Sequence, residues 1–192
     1  MSVQFRTAPV GFFDLPSKSF VQQALFVVAG TLVLALASRI QVPMVPVPIT
    51  MQTFAVTMIG ALYGWRLAGL TVLAWLGEAM LGLPVLAGGA SGLAPFVGPT
   101  AGYLVSFPIM AVLVGFMTER GIHGHRPVAG FLLHFGANAL GLALGWAWLA
   151  GLIGAEKAWM AGVAPFILGA VLKSALAAAV LRAMAQKTPA SQ

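Results

Sequence analysis

The hydrophobic pattern divides the chain into long apolar runs separated by short polar or Gly/Pro-rich segments. A run of about 20 apolar residues is long enough to cross the hydrocarbon core of a bilayer as a helix. Six runs suggest such spans, at about residues 21–38, 51–64, 67–81, 103–118, 128–153 and 159–184. Residues 1–20 are mixed and are expected to form a tail or an interfacial segment. The pattern predicts a single all-α integral membrane domain over residues 1–192, with six transmembrane helices.

Two of the connecting segments are apolar but cannot be helical throughout. Residues 39–50 hold three prolines within six positions, which predicts an extended or turn backbone. Residues 82–102 hold six Gly and three Pro among 21 residues, and no charge. Because unpaired backbone groups in lipid cost several kcal/mol each, such a segment should be buried in protein or line a cavity. We expect residues 82–102 to fold back over a binding site; a compact connector between two helices is the alternative.

Six spans place both termini on the same side of the membrane, and the basic residues indicate which side. With the N-terminus inside, the inner segments hold seven Lys and Arg residues: Arg6, Lys18, Arg66, Arg120, Arg126, Arg182 and Lys187. The outer segments then hold only Arg39 and Lys157, so the positive-inside rule favours an N-in, C-in topology. Both Gly/Pro-rich segments thus lie on the outer face. The second and third spans beside them are short, which is typical of a transport site.

Composition excludes several classes of function. The chain is 60% hydrophobic and only 7% charged, whereas soluble domains carry about 25% charged residues. The net charge of +6 comes from ten Lys and Arg that mostly separate apolar runs, so nucleic acid is not an expected partner. The chain has no Cys, no G-x-x-x-x-G-K-[ST] motif, no H-E-x-x-H and no G-x-S-x-G. We therefore predict a protein that is not an enzyme, does not hydrolyse ATP itself and holds no metal or cofactor.

Two charged residues within the apolar runs require an explanation. Lys173 lies in the sixth predicted span and Glu78 near the end of the third. A charge at the centre of a span costs about 2.5–3.5 kcal/mol, so it is expected to face a cavity or a partner. We predict that Lys173 binds a substrate carboxylate and that Glu78 accepts a hydrogen bond from a substrate N–H. Alternatively, the two residues pair with each other or extend toward the membrane surface.

Further substrate-binding candidates are polar or lie in the outer segments. Thr50 and Gln52 open the second span, where Thr50 is also a candidate helix cap. Tyr103 follows the Gly-rich segment and is either a ligand contact or an interfacial anchor. Asn138 lies four residues after His134 on one face of the fifth helix, where hydrogen bonding between helices is the simpler role. Gly88 and Gly89, in the Gly-rich segment, complete the candidates. His123 and His125 alone are a weak metal signal, because a third ligand is lacking.

Three stretches of the sequence together carry a resemblance to a known family: VPVPITMQTFAV (45–56), GEAMLGLPVLAGGASGLAPFVGPTAGYL (77–104) and GAVLKSALAAAV (169–180). They resemble the BioY family, the biotin-specific S components of energy-coupling factor (ECF) vitamin transporters. The resemblance covers most of the chain from about residue 45. It implies a six-helix S-component fold in the cell inner membrane that captures biotin from outside. It also implies a membrane T component and two cytoplasmic ATPases as partners.

The resemblance implies a pocket beneath the outer loops that uses polar residues of the last helix, with Lys173 matching the family's lysine. An acidic residue is expected three positions before that lysine, but this chain has Ala170 there. Either Glu78 supplies the missing acceptor, or the ureido group of biotin is held differently. A second hypothesis is a stand-alone carrier, proton-coupled through Glu78 or His134. An intramembrane enzyme using Glu78, His134 and Lys173 has no recognised catalytic spacing to support it.

Overall fold

Most of the described part of the chain is helical. The computed structural model describes residue 13 and residues 15–122 and 126–187. These ranges contain two short 3-10 helices, Leu15–Ser17 and Ala87–Gly89, and one hairpin of strands β1 (Gln41–Val42) and β2 (Ile49–Thr50). The α-helices of these ranges are α1 (Phe20–Arg39), α2 (Gln52–Tyr63), α3 (Trp65–Met80), α4 (Ala94–Val97), α5 (Ala101–Glu119), α6 (Pro127–Ile153), α7 (Ala155–Gly162) and α8 (Phe166–Lys187). The predicted all-α class is confirmed.

Helices α1, α2, α3, α5, α6 and α8 occupy the positions of the six predicted spans. Within the described ranges, four of them are long and apolar enough to cross a membrane: α1, α5, α6 and α8. Helices α2 and α3 have 12 and 16 residues. At 1.5 Å per residue they are only about 18 and 24 Å long, shorter than the hydrocarbon core of about 30 Å. The two helices that the sequence marked as short are therefore short in the structure.

The sixth predicted span is divided in two. Residue 159 lies inside α7, which ends at Gly162, and α8 begins only at Phe166. Proline disfavours a helical backbone at the residue before it, so Pro165 in the intervening turn explains the break. The hydropathy pattern does not reveal this break because the residues of the turn are also apolar.

The Pro-rich segment 39–50 forms a hairpin, in agreement with the prediction of extended or turn backbone. Strands β1 and β2 are antiparallel, with Gln41 paired to Thr50. The hairpin connects the end of α1 to the start of α2. This brings Thr50 and Gln52 beside the C-terminal part of α1.

The segment between α3 and α5, residues 81–100, is called the Gly-rich loop below. It is compact: the Gly92 N–H donates to the carbonyl oxygen of Ala79 at 2.7 Å. The indole N–H of Trp75 donates to the carbonyl oxygen of Val85 at 3.2 Å, and Arg39 donates to that of Pro84 at 2.6 Å. The backbone groups that proline and glycine leave without helical partners are in part paired in this way.

Helix α5 lies at the centre of the bundle. It packs against α2, α3 and α6, while α8 packs against α6 and α2, and α1 packs against α3 and α2. Close packing of α5 on α6 depends on Gly145, because a Cβ atom there would overlap the ring of Tyr103. By contrast, α1 exposes Phe20, Leu25 and Leu36, as expected of a helix at the lipid-facing edge.

Three sequence-based statements concern residues outside the described part of the chain. The hypothesis of a metal site at His123 and His125 falls there, as do Arg6 and most of the predicted tail. Among the described residues, no group of three or more His, Cys, Asp or Glu is placed to hold a metal ion.

Candidate functional site

A cavity of about 270 Å³ lies where the hairpin, the start of α2, the Gly-rich loop, α5, α6 and α8 meet. Its walls are mainly apolar, and the side chains that form them include Val47, Leu86, Phe107 and Phe166. The polar residues at the wall are few: Thr50, Gln52, Thr53, Thr100, Tyr103, Ser106, Asn138 and Lys173. Small-molecule sites are typically apolar pockets with a few placed polar groups, and this cavity has that character.

Lys173 reaches from α8 across the cavity to the start of α2. Its ammonium nitrogen donates to the backbone carbonyl oxygen of Thr50 at 2.5 Å and to the hydroxyl of Thr53 at 3.2 Å. An ammonium group has three N–H donors, so one donor remains. Both partners are neutral, and no acidic residue of the described chain lines the cavity. The wall therefore carries a positive charge that an anionic group of a ligand can neutralise.

Thr50 and Gln52 form one hydrogen-bonded unit beside Lys173. The Thr50 hydroxyl donates to the side-chain oxygen of Gln52 at 3.0 Å and accepts from the Gln52 backbone N–H at 3.2 Å. The N-cap residue of α2 is Met51 and has no side-chain cap bond, so the capping role considered for Thr50 is wrong. Thr50 lies one residue earlier, in β2, and its hydroxyl bonds the first backbone N–H of α2. Both Thr50 and Gln52 line the cavity.

Asn138 links α6 to α8 at another wall of the cavity. Its amide nitrogen donates to the backbone oxygen of His134 at 2.9 Å and to the hydroxyl of Ser174 at 3.4 Å. The Ser174 hydroxyl donates in turn to the carbonyl oxygen of Ala170 at 2.7 Å. The predicted hydrogen bonding between helices is thus observed. With both amide N–H groups engaged, Asn138 has its side-chain oxygen left as an acceptor for a ligand donor.

Tyr103 contributes its ring rather than its hydroxyl to the cavity. The ring stacks on Phe166 with centroids 6.3 Å apart, and the hydroxyl donates to the backbone oxygen of Gly162 at 2.8 Å. Only 8% of Tyr103 is exposed, so the residue lies within the bundle. It ties the end of α7 to α5 and closes one side of the cavity.

The structure does not bring three of the candidate residues to the cavity wall. Glu78 lies on α3, where it is half-buried, and it is not a lining residue. Gly88 and Gly89 lie on the other side of the Gly-rich loop, where they approach the side chains of Gln41 and Arg39. Their neighbours Ala87 and Ala90 line the cavity instead.

Some cavity residues carry no sequence signal of their own. Thr53 lies in the first turn of α2 and its hydroxyl contacts Lys173, but one threonine at the start of an apolar run does not stand out in the sequence. Leu86, Phe107 and Phe166 are apolar residues in an apolar chain, and nothing in the sequence separates a pocket wall from ordinary core.

Comparison with known proteins gives consistent matches. The family model described as the BioY family matches residues 7–190. The chain is 36% identical over 178 residues to a biotin transporter BioY of Rhizobium etli, covering 88% of this chain and 94% of that one. It is 34% identical over 143 residues to a probable biotin transporter BioY of Pyrococcus horikoshii, covering 74% and 83% of the two chains.

A solved structure has the same fold. It is the crystal structure of the S-component for biotin from an ECF-type ABC transporter, with a TM-score of 0.77 and 24% sequence identity. The match covers 88% of this chain and 93% of the other. The arrangement of helices described above is therefore that of an S component.

Proposed function

The chain belongs to the BioY family, and we propose that it captures biotin at the outer face of the cell's inner membrane. Its curated relatives are named as transporters, and the chain is a multi-pass membrane transport protein rather than an enzyme. The proposal concerns what is bound, which residues bind it and what drives its uptake.

The observation that carries the proposal is the position of Lys173. Its ammonium group lies at the wall of an apolar cavity, with neutral partners and one donor to spare. Biotin has a carboxylate, a ureido group and an apolar ring and chain. We propose that the carboxylate binds Lys173, because a charge-assisted hydrogen bond in a dry site is the strongest contact that this cavity offers. The apolar walls receive the rest of the molecule.

We propose that neutral groups hold the ureido group. Ala170 stands where the resemblance leads one to expect an acidic residue, and Glu78 does not reach the cavity in the structure. The side-chain oxygen of Asn138 is a hydrogen-bond acceptor at the cavity wall, whereas Lys173 is a hydrogen-bond donor. Tyr103, Thr50 and Gln52 complete the proposed site.

We further propose that a membrane T component and two cytoplasmic ATPases supply the energy for uptake. The chain has no P-loop sequence with which to bind ATP itself. The likeness of the fold to an S component supports this proposal. Uptake should therefore require those partners and ATP, and a protonophore should not abolish it directly, as it would for a stand-alone proton-coupled carrier.

Calorimetry on the purified chain tests the ligand and the lysine together. Biotin should bind saturably, and the carboxamide of biotin should bind about 10–100-fold more weakly, because a hydrogen bond to a charged group is worth about 1.5–3 kcal/mol. Equal affinities for the two ligands would show that Lys173 does not bind the carboxylate. No binding of either ligand would overturn the proposed function.

A further inference from the structure

A chain of hydrogen bonds connects helix α1 to the ammonium group of Lys173. It begins at Ser38, which is completely buried on α1 and does not line the cavity. The side-chain N–H of Gln52 donates to the Ser38 hydroxyl at 3.0 Å, and the Thr50 hydroxyl donates to the Gln52 side-chain oxygen at 3.0 Å. The carbonyl oxygen of Thr50 accepts from Lys173. Three helices, α1, α2 and α8, are thus joined through buried polar groups.

The direction of these bonds is set at Ser38. Its hydroxyl donates to the backbone oxygen of Leu34 at 2.7 Å, so it offers a lone pair, not a proton, to Gln52. The Gln52 amide must then turn its nitrogen to Ser38 and its oxygen to Thr50. With its side chain held by Gln52, Thr50 keeps its backbone oxygen in place as the acceptor for Lys173.

We propose that Ser38 is a positioning residue for ligand recognition, acting through Gln52 and Thr50 on Lys173. The inference rests on the proposed function, in which Lys173 binds the carboxylate of biotin. A lysine side chain has several rotatable bonds, and ordering it on binding opposes affinity. Ser38 reduces that cost by fixing the acceptor that holds the ammonium group at the cavity wall.

Removal of the Ser38 hydroxyl would leave a buried N–H of Gln52 without its partner and free the amide to rotate. Thr31 provides a matched control on the same helix. It is also buried, but its hydroxyl donates to the backbone oxygen of Val28 within α1, at 3.0 Å. No bond from Thr31 leads toward the cavity among those described.

The test compares Ser38→Ala with Thr31→Ala in full-length protein, by calorimetry with biotin and with its carboxamide. We expect Ser38→Ala to weaken biotin binding about tenfold, the effect of one lost buried hydrogen bond, and to change carboxamide binding by less than about twofold. Thr31→Ala should leave both affinities within about twofold of wild type. In a Lys173→Ala background, Ser38→Ala should have no further effect on biotin.

Each other outcome counts against the proposal. An equal loss of affinity for both ligands would show that Ser38 acts by loosening the bundle or by placing Gln52 as a direct ligand contact, and not by positioning Lys173. Wild-type affinity for biotin in Ser38→Ala would overturn the proposal directly while leaving the proposed function intact. If wild-type protein binds no biotin, the proposed function is overturned, and the proposed role of Ser38 is overturned with it.

Discussion

The ammonium nitrogen of Lys173 lies 2.5 Å from the backbone carbonyl oxygen of Thr50, a residue 123 positions earlier in the chain. This contact ties α8 to the residue before α2 at the wall of an apolar cavity. The lysine therefore lies where a ligand would meet it, and not at the lipid surface. Without a ligand its charge is solvated by oxygen atoms of the protein, which a carboxylate can supplement through the remaining N–H.

Replacement of Lys173 by Ala should weaken biotin binding by about 2 kcal/mol or more, because a charge-assisted hydrogen bond in a dry site is lost. Calorimetry on the purified variant measures the change. Lys157→Ala is the control, since Lys157 is exposed on α7 and does not line the cavity. An unchanged affinity in Lys173→Ala would show that Lys173 does not bind biotin.

Thr53→Val should weaken biotin binding by about 0.5–1.5 kcal/mol, because the ammonium group loses one of its two neutral partners. Thr57→Val is the matched control one turn later. Thr57 is buried, and among the described residues its hydroxyl bonds only to the Thr53 and Phe54 carbonyl oxygens of its own helix. Equal effects of the two substitutions on affinity would mean that Thr53 matters to α2 and not to the ligand.

Glu78→Gln should leave the affinity for biotin unchanged within about twofold, because Glu78 does not line the cavity. Asn138→Leu should weaken binding about tenfold, as a neutral acceptor at the wall is replaced by an apolar group of similar size. Binding measurements on both variants decide how the ureido group is held. A large loss of biotin affinity in Glu78→Gln would show that the Glu78 carboxylate is the acceptor for the ureido group.

Gly145→Ala should destabilise the protein by about 1–3 kcal/mol, because the added methyl group overlaps the ring of Tyr103 and forces α5 and α6 apart. Thermal unfolding of the detergent-solubilised protein reports the change. Gly136→Ala on the same helix is the control, since a Cβ atom there would have no neighbour within 4 Å. Similar melting temperatures for the two variants would contradict the packing described here.

Part of the fold could be predicted because its signals are local. A run such as residues 103–118 is long, apolar and uncharged, and only a helix satisfies its backbone groups in lipid. Prolines 43, 46 and 48 exclude a helix between α1 and α2, where the structure has a hairpin. Lys173 stood out by the same reasoning, because an isolated charge in an apolar run needs a polar environment.

The same local reasoning failed where neighbouring residues are equally apolar. Hydropathy joined α7 to α8 in one span, although the chain turns before Phe166. For Glu78 the sequence indicated its depth along a helix but not its direction around it, and in the structure Glu78 does not line the cavity. A helix presents successive residues about 100° apart, so the face that carries Glu78 is decided by its packing partners.

The sequence by itself determined the membrane environment, the helical class, the two irregular Gly/Pro-rich segments and the deep charge of Lys173, since each follows from the solvation of single residues and short runs. Only the tertiary structure decided which groups meet: Lys173 with Thr50 and Thr53, and Ser38 with Gln52. These contacts depend on helices far apart in the chain packing side by side. Packing is fixed by the shapes of many apolar side chains together, and no single residue of the sequence records it.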